Sequence, residues 1–130
     1  MFMSSKPILI LATAAVAATL LAGCGQKEPK PLTYQADIKP ILDQYCVECH
    51  KAGGQGTEKS GLLLDSYAAT MRGTNFGPVI VAGQSINSTL FRLISGKADP
   101  SLRMPHNQAP LSEENVNKIK DWIDQGAKEQ

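Results

Sequence analysis

The stretch Cys46-Val47-Glu48-Cys49-His50 decides how this chain is interpreted. Two cysteines three positions apart, with a histidine directly after the second, form the attachment signature of a c-type haem. On one helical turn Cys46 and Cys49 lie on the same face, so both sulfurs can add to the two vinyl groups at one edge of a porphyrin. His50 is then held beneath the macrocycle, where an imidazole nitrogen binds the iron. The sequence therefore predicts one covalently bound haem c.

Two other kinds of site use part of the same pattern. A thioredoxin-like dithiol also has the Cys-x-x-Cys spacing, but it is expected inside a βαβ unit, and none is evident here. A zinc site would need two ligands beyond the motif, and His106 is the only obvious spare donor. Both remain alternatives to haem attachment.

Residues 1–23 predict a lipoprotein signal peptide. Lys6 precedes an apolar stretch, residues 7–22, that is shorter than the ~20 residues of a membrane-spanning helix. Residues 21–24, Leu-Ala-Gly-Cys, resemble the bacterial lipobox, in which the cysteine becomes the lipidated first residue. We expect an exported protein, lipid-anchored to a bacterial membrane through Cys24, with its domain on the periplasmic or outer side. An ordinary signal peptide or a short anchor is the alternative.

The remainder divides into a linker and one domain. Residues 24–35 predict a lipid anchor and a flexible linker, since the segment is polar and contains Pro29 and Pro31. Residues 36–130 are enough for one small domain. Because Lys6 leaves with the signal, twelve of the thirteen basic residues remain against twelve acidic ones, a formal charge of zero. No basic stripe indicates nucleic acid binding.

The periodicity of the domain is helical. No period-2 strand of any length appears, so the predicted fold is all-α, with helices and loops around one haem. Residues 52–61 are rich in glycine and are predicted to form a loop. The last helix has the clearest apolar stripe, made of Val116, Ile119, Trp122 and Ile123. The predicted helix starts are Asp37, Ser66, Asn87 or Ser88, and Ser112.

A haem iron also needs a sixth ligand, and the candidate is Met104. Pro105 restricts Met104 to extended backbone, which presents the thioether in one direction. A loop methionine ahead of the final helix suits the face opposite His50. His106, two residues on, is the alternative ligand, and an open distal site is another. Met104 as an ordinary gap-filling core residue is the non-functional alternative.

From residue 36 to the end, the chain resembles the planctomycete-type cytochrome c domain, related to the class I cytochromes. The resemblance implies a cytochrome c fold with haem bonded to Cys46 and Cys49, His50 proximal and Met104 distal. At position 106 a second proline is usual in the family, and His106 stands there instead. The resemblance is carried by the segments 37–42, 61–65, 104–105 and 121–127 around the Cys-x-x-Cys-His motif.

These observations predict an electron-transfer protein and not an enzyme. With two protein ligands on the iron, the reachable chemistry is one-electron exchange. We expect redox proteins as donors and acceptors, the lipid membrane as a further partner, and a monomer. No Ser/His/Asp set or phosphate-binding glycine loop is visible. The alternative function is a haem-based sensor or ligand-binding module with a weak or open distal site.

Overall fold

The computed structural model describes residues 30–130. The predicted signal peptide, Cys24 and the first part of the linker lie outside the described residues. None of the helices described is long and apolar enough to cross a membrane.

Within residues 30–130 the fold is helical and contains no strand, which confirms the all-α prediction. A single turn of π-helix and two short 3₁₀ turns complete the secondary structure. The π-turn is Tyr34–Ile38, and the 3₁₀ turns are Ser85–Asn87 and Pro100–Leu102. The helices are α1 (Lys39–Tyr45), α2 (Gln55–Ser60), α3 (Tyr67–Arg72), α4 (Thr89–Ile94) and α5 (Glu113–Asp124).

The first helical segment begins earlier than the sequence predicts. Thr33, and not Asp37, is the N-cap, since its hydroxyl accepts a bond from the Ala36 amide at 3.3 Å. Asp37 instead accepts a bond from the Thr33 amide at 3.0 Å. The two side chains therefore satisfy backbone donors reciprocally, as in a capping box.

Helix α2 corrects the prediction of a loop over residues 52–61. The helix ends at Ser60, and the next residue, Gly61, has a left-handed backbone (φ 75°) and donates its amide to the Thr57 carbonyl. At the other end, the amides of Gly56 and Thr57 both donate to the Cys49 carbonyl, at 2.9 and 3.2 Å. Because these bonds to a carbonyl outside the helix stabilise its first turn, the surrounding structure overrides the low helix propensity of its sequence.

The remaining helix starts agree with the predictions. Ser66 accepts a bond from the Ala69 amide at 3.4 Å, and Ser112 accepts one from the Asn115 amide at 3.2 Å. Helix α4 starts directly after Ser88.

The core is built around α5. Its residues Ile119, Trp122 and Ile123 are fully buried, as the predicted stripe requires. Trp122 packs against Tyr34 of the π-turn, with ring centroids 6.0 Å apart. The partly buried Val116 packs against the same core.

The two ends of the domain are hydrogen-bonded to each other. The Tyr34 amide donates to the Lys128 carbonyl at 3.0 Å, and the Trp122 indole donates to the same oxygen at 2.8 Å. The Leu32 amide donates to the Gln125 side chain at 2.7 Å. The segment that enters the domain is therefore fixed to the segment that ends it.

Candidate functional site

A cavity of about 480 Å³ brings the predicted site residues together. Cys46, Cys49 and His50 line it, and so do Met104 and His106. Its size falls within the ~300–1,000 Å³ of typical small-molecule and cofactor sites. The apolar side chains in its wall are Leu62, Leu64, Val79, Leu90, Leu93 and Ile94.

The two cysteines lie on one hydrogen-bonded turn that continues from α1. The Cys46 amide donates to the Leu42 carbonyl at 2.9 Å, and the amides of Cys49 and His50 donate to the Cys46 carbonyl at 3.2 and 3.0 Å. Cys46 is half-buried and Cys49 is exposed, and neither is in a disulfide. The turn therefore holds both thiols at the cavity in the spacing that the motif predicts.

Cys46 is a poor candidate for dithiol chemistry. Burial, and then the neighbouring Cys49, raises the pKa of Cys46 to about 11. Reactive dithiols depend on a thiolate whose pKa is lowered, because the thiolate is the nucleophile. This environment argues against the thioredoxin-like alternative.

His50 is buried and fixed by a backbone acceptor. Its Nδ1 lies 3.3 Å from the Leu62 carbonyl oxygen, and in the tautomer with a proton on Nδ1 the ring donates to that oxygen. Burial lowers the pKa of His50, which favours the neutral ring. A neutral imidazole whose Nδ1 is engaged in this way has Nε2 free to bind a metal.

Helix α2 packs directly against the ring of His50. A Cβ atom added at Gly56 would lie 2.7 Å from His50 Cε1 and 2.9 Å from Nδ1. The His50 carbonyl accepts a bond from the Leu64 amide at 2.8 Å, so the residue is held on its backbone side as well. The close approach of Gly56 therefore packs α2 against one side of the imidazole.

Met104 and His106 lie on the loop that precedes α5. Met104 is half-buried, and its amide donates to the Leu93 carbonyl at 3.2 Å, which attaches the loop to α4. His106 lines the same cavity but is exposed. The structure thus brings both candidate distal ligands to the cavity that contains His50.

Several residues at this site escaped the sequence analysis. Gly56 packs against the His50 ring, the Leu62 carbonyl lies beside its Nδ1, and the Thr57 hydroxyl donates to the same carbonyl. Their separation from the motif in sequence gives no periodic signal that would find them. The polar cavity residues that were also missed are Gln55, Lys59, Ser60, Thr74, Thr89, Asn107 and Gln108.

The zinc alternative lacks a ligand set in this part of the chain. Over residues 30–130, no group of three or more His, Cys, Asp or Glu side chains is arranged to hold a metal ion. The motif residues face a largely apolar cavity, which fits a porphyrin. A site with two thiols, one fixed imidazole and a thioether has the donors that haem c requires.

Comparison with known proteins gives the same class. Residues 46–107 match the family model described as Planctomycete cytochrome C. This match confirms the predicted resemblance to a planctomycete-type cytochrome c domain, and the small all-α fold agrees with that class. The family implies haem as the cofactor and suggests electron transfer as the function. No curated protein and no solved structure matches the chain.

Proposed function

We propose that this protein is a membrane-tethered mono-haem c-type cytochrome that carries single electrons between periplasmic or respiratory redox partners. One observation carries the proposal. A single, largely apolar cavity is lined by Cys46, Cys49, His50 and Met104, the four residues that a covalently attached, six-coordinate haem requires.

Each residue has a separate role in this proposal. Cys46 and Cys49 would hold a haem through thioether bonds, and His50 and Met104 would bind its iron through a nitrogen and a sulfur. The bound haem supplies one-electron exchange at its iron. If His50 and Met104 both bound the iron, no coordination position would be left for a substrate, and this favours a carrier over an enzyme.

The cavity wall also bears on the reduction potential. Leu62, Leu64 and Val79 are buried, so they exclude water from the inner part of the site. A low-polarity environment disfavours the oxidised iron, which carries one more positive charge than the reduced iron. The wall and a thioether ligand therefore both favour a raised potential.

The surface around the motif gives limited support for a docking site. Lys51, next to the motif, forms an ion pair with Glu48 at 2.9 Å. Its charge is therefore partly neutralised, and a contribution to docking from basic residues would come from Arg72, Arg92 or Arg103, which are exposed. We propose redox proteins as the donor and acceptor, and a monomeric carrier.

Ligation is tested in the full chain, produced in a host with haem maturation machinery. We expect mass spectrometry to find one covalently added haem. The oxidised protein should show the weak band near the red edge of the spectrum that marks methionine–iron ligation. Met104→Ala should abolish this band and allow carbon monoxide to bind, because it opens the distal position. The matched variant His106→Ala should keep the band.

Three results would contradict parts of this proposal. A protein without an added macrocycle would exclude the cytochrome function. Loss of low-spin character in His106→Ala, and not in Met104→Ala, would make His106 the distal ligand. Ready carbon monoxide binding by the unaltered protein at neutral pH would favour the sensor.

The tether rests on residues 21–24 and the short apolar stretch before them. From Cys24 to Tyr34 the linker spans at most about 35 Å, so the domain would stay close to the membrane surface. We expect Cys24→Ser to move the haem protein from the membrane fraction to the soluble fraction, with its visible spectrum unchanged. An unaltered protein whose Cys24 carried no acyl groups by mass spectrometry would exclude anchoring by lipidation.

A further inference from the structure

The carbonyl oxygen of Leu62 is shared by two side chains. It lies 3.3 Å from His50 Nδ1 and accepts a bond from the Thr57 hydroxyl at 2.8 Å. Leu62 is buried, so little water reaches this oxygen to compete with the two donors. The acceptor that orients the proximal histidine therefore also serves a residue of α2.

The two bonds differ in strength. A carbonyl oxygen has two lone pairs, but two donors draw on the same electron density, so each bond is weaker than it would be alone. The Thr57 bond is at the usual length for a hydroxyl donor. The His50 contact, at 3.3 Å, is longer than the usual range for a nitrogen donor, about 2.7–3.2 Å. Thr57 is thus the stronger of the two donors.

The position of Thr57 is fixed by the backbone. Its amide donates to the Cys49 carbonyl at 3.2 Å, and its own carbonyl accepts the bond from Gly61 that closes α2. The side chain is half-buried. The hydroxyl is consequently held against Leu62 by the same helix that packs on the imidazole through Gly56.

We propose that Thr57 is a positioning residue that weakens the hydrogen bond of the proximal histidine and thereby raises the reduction potential of the haem. The proposal rests on the proposed function, because it assumes that His50 binds the iron. A strong bond from Nδ1 to an acceptor gives the imidazole more anionic character and stabilises oxidised iron. By occupying the Leu62 oxygen, Thr57 limits that effect.

The test compares variants of the full-length holoprotein. Thr57→Val removes the hydroxyl with little change of shape. Thr57→Ala removes the hydroxyl together with the methyl group. Thr57→Ser keeps the donor. Ser95→Ala is the matched control, because Ser95 also donates its hydroxyl to a carbonyl, that of Arg92 at 3.5 Å, away from the haem cavity.

We expect the potential to fall in both variants that lack the hydroxyl. The equilibrium constant for reduction by a fixed mediator should decrease at least twofold, equivalent to about 18 mV for a one-electron couple. In the reduced protein, the Nδ1 proton of His50 should shift downfield in the NMR spectrum and exchange more slowly with solvent. Thr57→Ser and Ser95→Ala should retain the unaltered potential and resonance.

The outcomes separate this inference from the proposed function. If the unaltered chain carries no covalent haem, or His50 is not its ligand, the proposed function fails and the inference fails with it. If haem and ligation are as proposed, but neither Thr57→Val nor Thr57→Ala changes the potential and the Nδ1 resonance, the inference alone is overturned. An equal shift in Ser95→Ala would also overturn it, because the effect would then be general loosening of the fold.

Discussion

The proximal segment, residues 46–64, and the distal loop, residues 99–111, hold their candidate ligands in different ways. The carbonyl of Cys49 accepts two backbone bonds, and the carbonyl and ring of His50 are each bonded to residues 62–64. In the distal loop, among the residues that the structure describes, one hydrogen bond reaches another element, from the Met104 amide to the Leu93 carbonyl.

Burial follows the same division. His50 is buried, whereas residues 106–110 of the distal loop are all exposed. Local opening of a folded protein occurs first where buried contacts and long-range hydrogen bonds are few. The imidazole of His50 is therefore preorganised by its surroundings, whereas the thioether of Met104 depends on a loop that opens more easily.

The largest effect on stability is expected from Gly56→Ala, which disturbs the packing of the proximal segment around His50. Alanine is favoured over glycine in a helix by up to ~1 kcal/mol. Here the new methyl group would lie 2.7 Å from His50 Cε1 and 2.9 Å from the Cys49 carbonyl oxygen. Overpacking of this kind costs ~1–3 kcal/mol. We expect a lower free energy of unfolding of the holoprotein, measured by chemical denaturation.

Glu58→Ala is the control for Gly56→Ala. Glu58 is exposed on the same helix, so its replacement changes helix propensity without adding an atom near His50. Its free energy of unfolding should remain close to that of the unaltered protein. A Gly56→Ala protein as stable as the unaltered one would show that the proximal packing is looser than the structure indicates.

A smaller effect, measured in the unaltered protein, should distinguish the distal loop from the proximal segment. On titration with guanidinium chloride, we expect the methionine–iron band to disappear at a lower denaturant concentration than the helical circular dichroism signal. The reason is that the distal loop has one long-range bond to lose, whereas the proximal segment unfolds with the core. Coincident transitions would place both ligands in one cooperative unit and remove the distinction.

Much of the fold could be predicted from the sequence because local signals mark it. Ser66 and Ser112 bond backbone amides at helix starts as their positions suggest, and Gly126 follows the last helix with a positive φ of 101°. Helix α2 could not be predicted, since its first turn is stabilised by the Cys49 carbonyl. Asp37 was wrongly predicted as the cap because Thr33, four residues earlier, performs that role.

The candidate site also contains some features that the sequence predicts and others that it does not. The cysteines and His50 follow from their spacing, and Met104 follows from its loop context, although their ligation of iron remains a prediction. The environment of His50 could not be predicted, because the acceptor is a backbone carbonyl twelve residues away and Gly56 contributes by the absence of a side chain. Neither leaves a residue pattern in the sequence.

The bonds between Leu32, Tyr34 and the C-terminal segment have a mechanical consequence. If the domain is anchored through its N-terminal end, a pull on the tether reaches residues 32–34 first. From there the load passes through Gln125 and Lys128 to helix α5, whose core residues are fully buried. The π-turn also leads directly into α1 and the cysteine turn, so α5 would share with α1 a load that otherwise falls on the segment bearing the metal ligands.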